Sequence, residues 1–375
     1  MSDDEDIDED IDEAPGTVTD FAVLGRDDAS SLSAVAGLAE IAFWLERRRE
    51  ETHRVQAYRK AAWALGALPR GEVQGRIADG TLTDVRNVGP KTAKAATEIA
   101  ADGGSSYLDE LRHEGAAPLD TGGEELRAAL RGDLHAHSDW SDGGSPIDEV
   151  VTGARFVGHD YLALTDHSPR LTVAHGLTAE RLAEQLDVVE ATNERVRRDG
   201  GPQFTLLPAI EVDIREDGSL DQTDEMLGRL DVVTASVHSK LRSDAETMTH
   251  RMVGAIANPL TNVLGHCTGR LVEGGRGTRP ESEFDAEVVF AACAKFDVAV
   301  EINSRPERRD PPSRLIRLAL ESGCLFSIDT DAHAPGQLAF CDYGCARAAA
   351  CDVPADRVVN TWPLERLLEW THDKR

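Results

Sequence analysis

LRGDLHAHS, residues 130–138, sets the reading of this chain. Leu134 and Ala136 alternate with His135 and His137, so in an extended strand the two histidines project to one face. Six further short apolar runs follow: YLALTDHS (161–168), FTLLPAIEVDI (204–214), DVVTASVHSK (231–240), TNVLGHCTGR (261–270), VAVEINSRP (298–306) and LFSIDTDAH (325–333). Helix-like stretches separate most of them, as repeated βα units require, and the expected fold is α/β. In barrels of parallel strands the functional side chains gather at the C-terminal strand ends. All but the sixth of these runs deliver ligand-type residues there: His135, His137 and Asp142, then His167, Glu211, His238, His266, Asp331 and His333. The sixth supplies Asn303 and Arg305, groups suited to substrate rather than to a cation.

Nine nitrogen and oxygen ligands exceed what one ion of four to six coordination uses, so two or three divalent metal ions are expected. Imidazole with carboxylate suits Zn, Mn and Fe alike. Asp133 and Asp166 stand beside ligand histidines and are expected to orient imidazoles. The other six histidines (His53, His113, His159, His175, His250, His372) fit no such pattern, and among them His175 is the one placed to reach the mouth.

GDLHAHSDWSDG, LTDHS, AIEVD, ASVHS, LGHCTGR, EINSRPERRD and DTDAHA together resemble the PHP (polymerase and histidinol phosphatase) family, and most of all its branch at the C-terminus of family X DNA polymerases. HGLTAERLAEQLDVVEATNER, which carries no ligands, also resembles that branch. The resemblance covers residues 131 to about 365 and implies a distorted (βα)7 TIM-like barrel. It implies three ions: one on His135, His137, Glu211 and Asp331, one on Glu211, His238 and His266, and one on Asp142, His167 and His333, with Glu211 bridging. The implied chemistry is metal-dependent hydrolysis of phosphate esters without a covalent enzyme intermediate. Glu211 and Asp331 are then catalytic, and Arg270, Arg305 and Lys240 are candidate clamps for phosphate oxygens.

Upstream, LSAVAGLAEIAFWLERRREE and HRVQAYRKAAWALGAL show apolar spacing near 3.6, with Leu68-Pro69 as a stop. Asn87-Val88-Gly89-Pro90 then forms a short turn between two amphipathic stretches. Gly89 permits φ > 0, and Pro90 suits a first helical turn whose outward amides could hold a phosphate. The segment resembles an all-α helix-hairpin-helix module that binds DNA backbone. From Arg47 to Lys94, eleven basic residues face five acids, and this charge favours DNA over a plain helical turn. The candidate DNA-binding residues are Asn87, Val88, Gly89, Lys91 and Lys94, with Arg54, Tyr58, Arg59 and Lys60.

HRVQAYRKAAWAL and VRNVGPKTAKAATEI also resemble the small N-terminal domain of family X polymerases. The first hairpin glycine is replaced by Asn87, which tolerates the left-handed conformation. The Schiff-base lysine of lyase-competent relatives falls at Ala95, with Lys94 turned about 100° away on a helix. Lyase activity is not expected. Only a short linker, residues 113–130, separates this module from the barrel, so no polymerase palm, and no polymerisation, is expected.

The implied organisation is an acidic disordered tail (1–32), the helical module (33–112), the linker and the phosphoesterase domain (131–375). The tail carries twelve acids and Arg26 within its first 30 residues. The net charge of −28, with six lysines against 34 arginines, resembles a salt-adapted, halophilic composition. No 18-residue apolar run and no basic leader appear, so a cytoplasmic protein without a membrane partner is expected. Six cysteines without a CxxC pair read as buried thiols. The expected activity is hydrolysis of a DNA phosphodiester or 3′-phosphate at ends, nicks or gaps, as a 3′–5′ exonuclease or repair enzyme. The alternative is a small phosphomonoesterase of histidinol-phosphatase type. A binding module using metal only structurally is argued against by the surplus of ligands.

Overall fold

Seven strands alternate with helices in a computed structural model that describes residues 34–69, 71–200, 203–275 and 277–373. The acidic tail lies outside the described residues. The strands are β1 (Gly132–Ala136), β2 (Tyr161–Leu164), β3 (Thr205–Asp213), β4 (Val232–Ser236), β5 (Val263–Leu264), β6 (Ala299–Asn303) and β7 (Phe326–Asp329). They lie in sequence order, and every neighbouring pair is parallel. Nearly every strand residue is buried, which is why these runs read as continuous apolar stretches rather than as alternating ones.

The sheet nearly closes. β1 and β7 meet at an Ala136–Ala332 bridge, where His137 N–H donates to the Ala332 carbonyl at 2.8 Å. Below that point side chains replace the missing ladder. Leu134 N–H donates to Asp329 Oδ1 (2.8 Å), and Thr330 N–H donates to Asp133 Oδ2 (3.1 Å). Asn360 Nδ2 donates to the carbonyls of Gly132 (3.1 Å) and Ile328 (2.6 Å), clipping one strand to the other. These contacts fix the relative height of the two strands that carry His135, His137, Asp331 and His333.

Helices such as Ala179–Asp199, Ala245–Ile256 and Ala286–Phe296 cover the strands. Thr178, Asp244 and Asp285 cap these three, each accepting from a backbone amide in the first turn. All six cysteines are buried and unpaired.

The chain divides into two compact units, and the division differs from the expected boundaries. Residues 43–50 and 111–375 form the barrel unit; the helical unit holds the described parts of 1–42 and 51–110. Residues 113–130 were expected to be a bare linker, but they include a helix, Glu124–Ala129, and pack on the barrel unit. Leu119 N–H donates to Asp342 at 2.8 Å, and Arg127 pairs with the same carboxylate at 3.3 Å.

Within the helical unit, Thr52–Gly66 and Pro90–Asp102 bury Val55, Tyr58, Ala61, Ala62, Leu65, Ala95, Ala96 and Ile99. Pro90 occupies the first turn, and Gly89 is its N-cap. Among the described residues no helix is long and apolar enough to cross a membrane.

Candidate metal centre

His135 lies within β1 and Glu211 within β3; the other seven expected ligands follow the C-terminal ends of their strands. Glu211, 1% exposed, is the centre of the arrangement. Its Oε1 faces His266 Nε2 (2.8 Å) and His238 Nε2 (3.2 Å). Its Oε2 faces His167 Nδ1 (2.9 Å), His135 Nε2 (3.3 Å) and His137 Nε2 (3.7 Å). One carboxylate thus addresses two sets of imidazoles with its two oxygens.

Two other acids complete the cluster. Asp142 Oδ1 lies 3.4 Å from both His167 Nε2 and His333 Nε2. Asp331 Oδ1 lies 3.5 Å from His137 Nε2. Asp331 holds a left-handed backbone (φ 50°), a conformation that costs a non-glycine residue energy and that here turns its carboxylate toward His137. Ligand atoms of His137, Asp142, His167 and His333 all lie within 4.8 Å of one another, as do those of His135, His137 and Asp331. The same holds for two sets that share the central carboxylate: His135, Glu211 and His266, and His167, Glu211 and His238.

These residues fit divalent cations, and the test is their polar atoms. His135 Nε2, both ring nitrogens of His137 and of His238, His167 Nδ1 and His266 Nδ1 are buried without a hydrogen-bond partner. Orphaned polar atoms in a protein interior are costly, and those that face Glu211 (His135 Nε2, His137 Nε2, His167 Nδ1 and His238 Nε2) call for a ligand. The electrostatics agree. Burial opposes the charge on Glu211, yet His238, His135 and His167 hold its carboxyl well below the usual range. Burial and the charges of His333 and His167 push His137 down to about 3. Against the effect of burial, Glu211 and Asp142 lift His167 to about 10. Anionic oxygens surrounded by imidazoles that cannot all be protonated are the setting in which a cation replaces protons.

Around the ligands the structure revises several expectations. Asp166 does not touch an imidazole: it accepts from Ser138 N–H (2.9 Å), Ser141 Oγ (2.5 Å) and Gln185 Nε2 (2.6 Å), which fixes the loop that carries Asp142. Asp133 accepts from the His135 backbone amide at 2.9 Å, not from the ring. The carboxylate that meets a ring is instead Glu301, whose Oε1 lies 2.6 Å from His135 Nδ1; Asp213 accepts from the His238 backbone amide at 3.1 Å, with the ring Nδ1 3.4 Å away. Glu301 lies two residues before Asn303 in the sixth run, so the period of two already placed it on the same face.

Of the three phosphate-clamp candidates, only Arg305 lines the cavity of about 920 Å³ that opens onto the ligands. Arg270 turns away: its guanidinium donates to the carbonyls of Arg308 and Arg309 and lies 3.6 Å from Glu281. Lys240 is exposed and lines neither this cavity nor its neighbour. Arg308, not singled out from sequence, lines the cavity, and its Nε meets Asp331 Oδ2 at 2.9 Å. Asn303 donates to the same oxygen at 3.1 Å, so it holds a ligand rather than facing substrate. Val173, 87% exposed, lines the mouth where His175 was expected.

In the helical unit, Asn87 takes the left-handed conformation (φ 67°), as its residue type allows. Gly89 does not: it is extended (φ −91°, ψ 172°), and a Cβ there would meet nothing within 4 Å. Its N–H donates to Thr92 Oγ1 at 2.9 Å. Lys60, Lys91 and Lys94 are exposed, Lys94 lying 3.6 Å from Glu98, and Arg54 donates to Tyr107 Oη at 3.1 Å. Tyr58, Arg59 and Val88 are buried, so their side chains serve the core of this unit rather than a ligand. Ala95 is also buried, and neither it nor exposed Lys94 provides an enclosed amine.

Comparison with known proteins agrees with this geometry. Residues 133–305 match the PHP domain model, and residues 33–105 match a helix-hairpin-helix domain model. The chain carries a PHP domain, matched over less than half of its length. Over 271 residues it is 33% identical to the DNA polymerase/3′-5′ exonuclease PolX of Bacillus subtilis (strain 168), covering 71% of this chain and 45% of that one. The chain therefore spans less than half the length of that relative. It is 26% identical over 245 residues to a probable phosphatase of Tolumonas auensis, covering 62% of this chain and 89% of that one. A solved histidinol phosphate phosphatase from Lactococcus lactis, complexed with zinc, L-histidinol and phosphate, aligns over 55% of this chain and 87% of its own at 18% identity and a TM-score of 0.39.

Proposed function

We propose that this chain hydrolyses phosphate esters at the ends of DNA, a phosphodiester or a 3′-phosphate, using three divalent cations with Glu211 shared between them. The carrying observation is the division of Glu211: one oxygen toward His238 and His266, the other toward His135, His137 and His167. The first ion would take His135, His137, Glu211 and Asp331; the second Glu211, His238 and His266; the third Asp142, His167 and His333. When bound, such cations make water acidic enough to attack phosphorus at neutral pH and offset charge on the departing oxygen.

The chain's own groups prepare the site. Glu301 fixes the plane of His135, Asp213 holds the backbone of His238, and Arg308 and Asn303 fix Asp331. His333 Nδ1 lies 2.9 Å from both the Asp331 carbonyl and Arg305 Nη1. It can donate to the first or accept from the second, not both. Donation to the carbonyl leaves Nε2 as the free ligand atom and releases Arg305 toward a phosphate oxygen in the cavity.

DNA is favoured over a small ester by the helix-hairpin-helix domain. Gly89 is neither strained nor crowded by the protein, so its missing side chain is best used where a phosphate must approach the backbone closely. Amide contacts of this kind also depend less on counterion release than lysine and arginine contacts, which weaken steeply with salt. The test offers purified protein, in high salt with Mn²⁺ or Zn²⁺, end-labelled DNA and histidinol phosphate side by side. Shortening or 3′-dephosphorylation of the DNA is the expected result. Turnover of histidinol phosphate alone would overturn the choice of substrate.

A further inference from the structure

Two glutamates stand on the wall of a cavity meant to receive an anion. Glu273 and Glu307 both line it, together with Arg305, Arg308 and Arg279. Uncompensated, two carboxylates at the entrance would repel a phosphate over several ångströms. Both are held by one residue from a distant part of the sequence. Arg49 Nη1 lies 2.8 Å from Glu273 Oε1, and Arg49 Nη2 lies 3.0 Å from Glu307 Oε1. The guanidinium fork thus bridges the two acids, and Arg49 itself does not line the cavity.

The arrangement is built rather than incidental. Arg49 follows the helix Ala34–Arg47 and adopts a left-handed backbone (φ 57°), which ends that helix. Its N–H donates to the Glu46 carbonyl at 2.8 Å, and Glu46 Oε2 in turn accepts from Gly336 N–H at 2.9 Å. The segment 43–50 belongs to the barrel unit, although it lies in sequence between two stretches of the helical unit. The second oxygen of Glu307 lies 3.9 Å from Arg305 Nε, and the second oxygen of Glu273 lies 3.8 Å from Arg309 Nη2. A chain of charges therefore runs from Arg49 through Glu307 to Arg305, the one clamp candidate that reaches the ligands.

We infer that Arg49 is a specificity-determining residue of the phosphoesterase site: by neutralising Glu273 and Glu307 it admits highly charged phosphates and keeps Arg305 from being claimed by Glu307. The inference rests on the phosphoesterase reading, though not on DNA as the substrate. Without Arg49, Glu307 keeps Arg305 and Glu273 keeps Arg309 as the cations paired with them among the described residues. Charge on the substrate then decides the penalty, so a dianionic ester suffers more than a monoanionic one.

The experiment uses the full chain loaded with Mn²⁺, with p-nitrophenyl phosphate as the dianionic ester and bis-p-nitrophenyl phosphate as the monoanionic one. For Arg49→Ala at low salt, the KM for the monoester rises about tenfold and that for the diester about threefold, with kcat within about twofold of wild type. The rise shrinks as salt is added. Inorganic phosphate, titrated calorimetrically, weakens by the same factor as the monoester KM. Arg49→Ala combined with Glu273→Gln and Glu307→Gln restores both, which a merely structural lesion would not do. Equal KM values for Arg49→Ala and wild type, or failure of the two glutamine substitutions to restore phosphate binding in a folded protein, would overturn the inference. Turnover of neither ester by the wild-type protein would instead remove the phosphoesterase reading, and this inference with it.

Discussion

The barrel mouth and the hairpin of the helical unit are both candidate phosphate sites, and they are made in opposite ways. At the mouth, Glu211 and eight further side chains from six of the seven strand runs gather in overlapping groups. At the hairpin the useful groups are backbone: an extended Gly89, a left-handed Asn87 and the first turn of Pro90–Asp102, while Tyr58, Arg59 and Val88 turn inward. A site made of side chains is rigid, metal-dependent and intolerant of substitution. A site made of backbone is tuned by what is absent from it, and its loss should leave the chemistry intact.

Substitutions can break this contrast. The largest effect is expected for Glu211→Gln, which keeps the shape but removes the charge facing five imidazoles: hydrolysis falls at least about 100-fold with the melting profile retained. Activity within a few-fold of wild type would discard the assignment. Glu301→Gln should weaken metal binding roughly 10- to 100-fold by freeing the His135 ring, read by titration with a competing chelator. An unchanged metal affinity would mean that Glu301 does not orient the ligand. Gly89→Val should raise the Kd for a DNA end about tenfold and leave p-nitrophenyl phosphate turnover unchanged, because the new side chain projects into open space where DNA would approach. Equal DNA binding would remove the hairpin from the binding surface.

The smallest effect separates burial from ligation. His159, just before β2, is as buried as the candidate ligands His135, His137, His167 and His266, and neither ring nitrogen has a partner among the described residues. Burial and the nearby Arg127 push it down to about 3. A histidine whose folded pKa is depressed favours folding above its unfolded pKa of about 6.5, and this contribution is lost as pH falls toward 3. His159→Leu should therefore remove about 2 kcal/mol of the stability lost by the wild type between pH 7 and 5, measured from urea midpoints. An unchanged pH slope would show that His159 titrates normally.

These same contrasts govern what was readable beforehand. The nine candidate ligands were legible because metal chemistry restricts residue type and a parallel barrel restricts position, so HxH, TDH and DAH at strand ends carry both signals. Glu301 carried the same positional signal, two residues before Asn303 and within its strand as His135 and Glu211 are within theirs. Arg270 and Arg308 lie in loops, where no periodicity says which way a guanidinium turns: Arg270, the candidate clamp, turns away, and Arg308, which no pattern singled out, lines the cavity. Gly89 and Asn87 are both residue types that tolerate a left-handed backbone; in the hairpin Asn87 takes it and Gly89 is extended. The segments 43–50 and 113–130 join the barrel through contacts such as Arg49–Glu273 and Leu119–Asp342, between residues more than 200 positions apart in sequence, which no local pattern announces.

The central claim is that Glu211 joins separate cations into one centre. The most direct measurement is the metal content of purified protein, by mass spectrometry, for wild type and Glu211→Gln after equal exposure to Mn²⁺ or Zn²⁺. The account predicts three ions per wild-type chain and about one in the variant, held by Asp142, His167 and His333. One ion or fewer in the wild type, or three in both proteins, would contradict it.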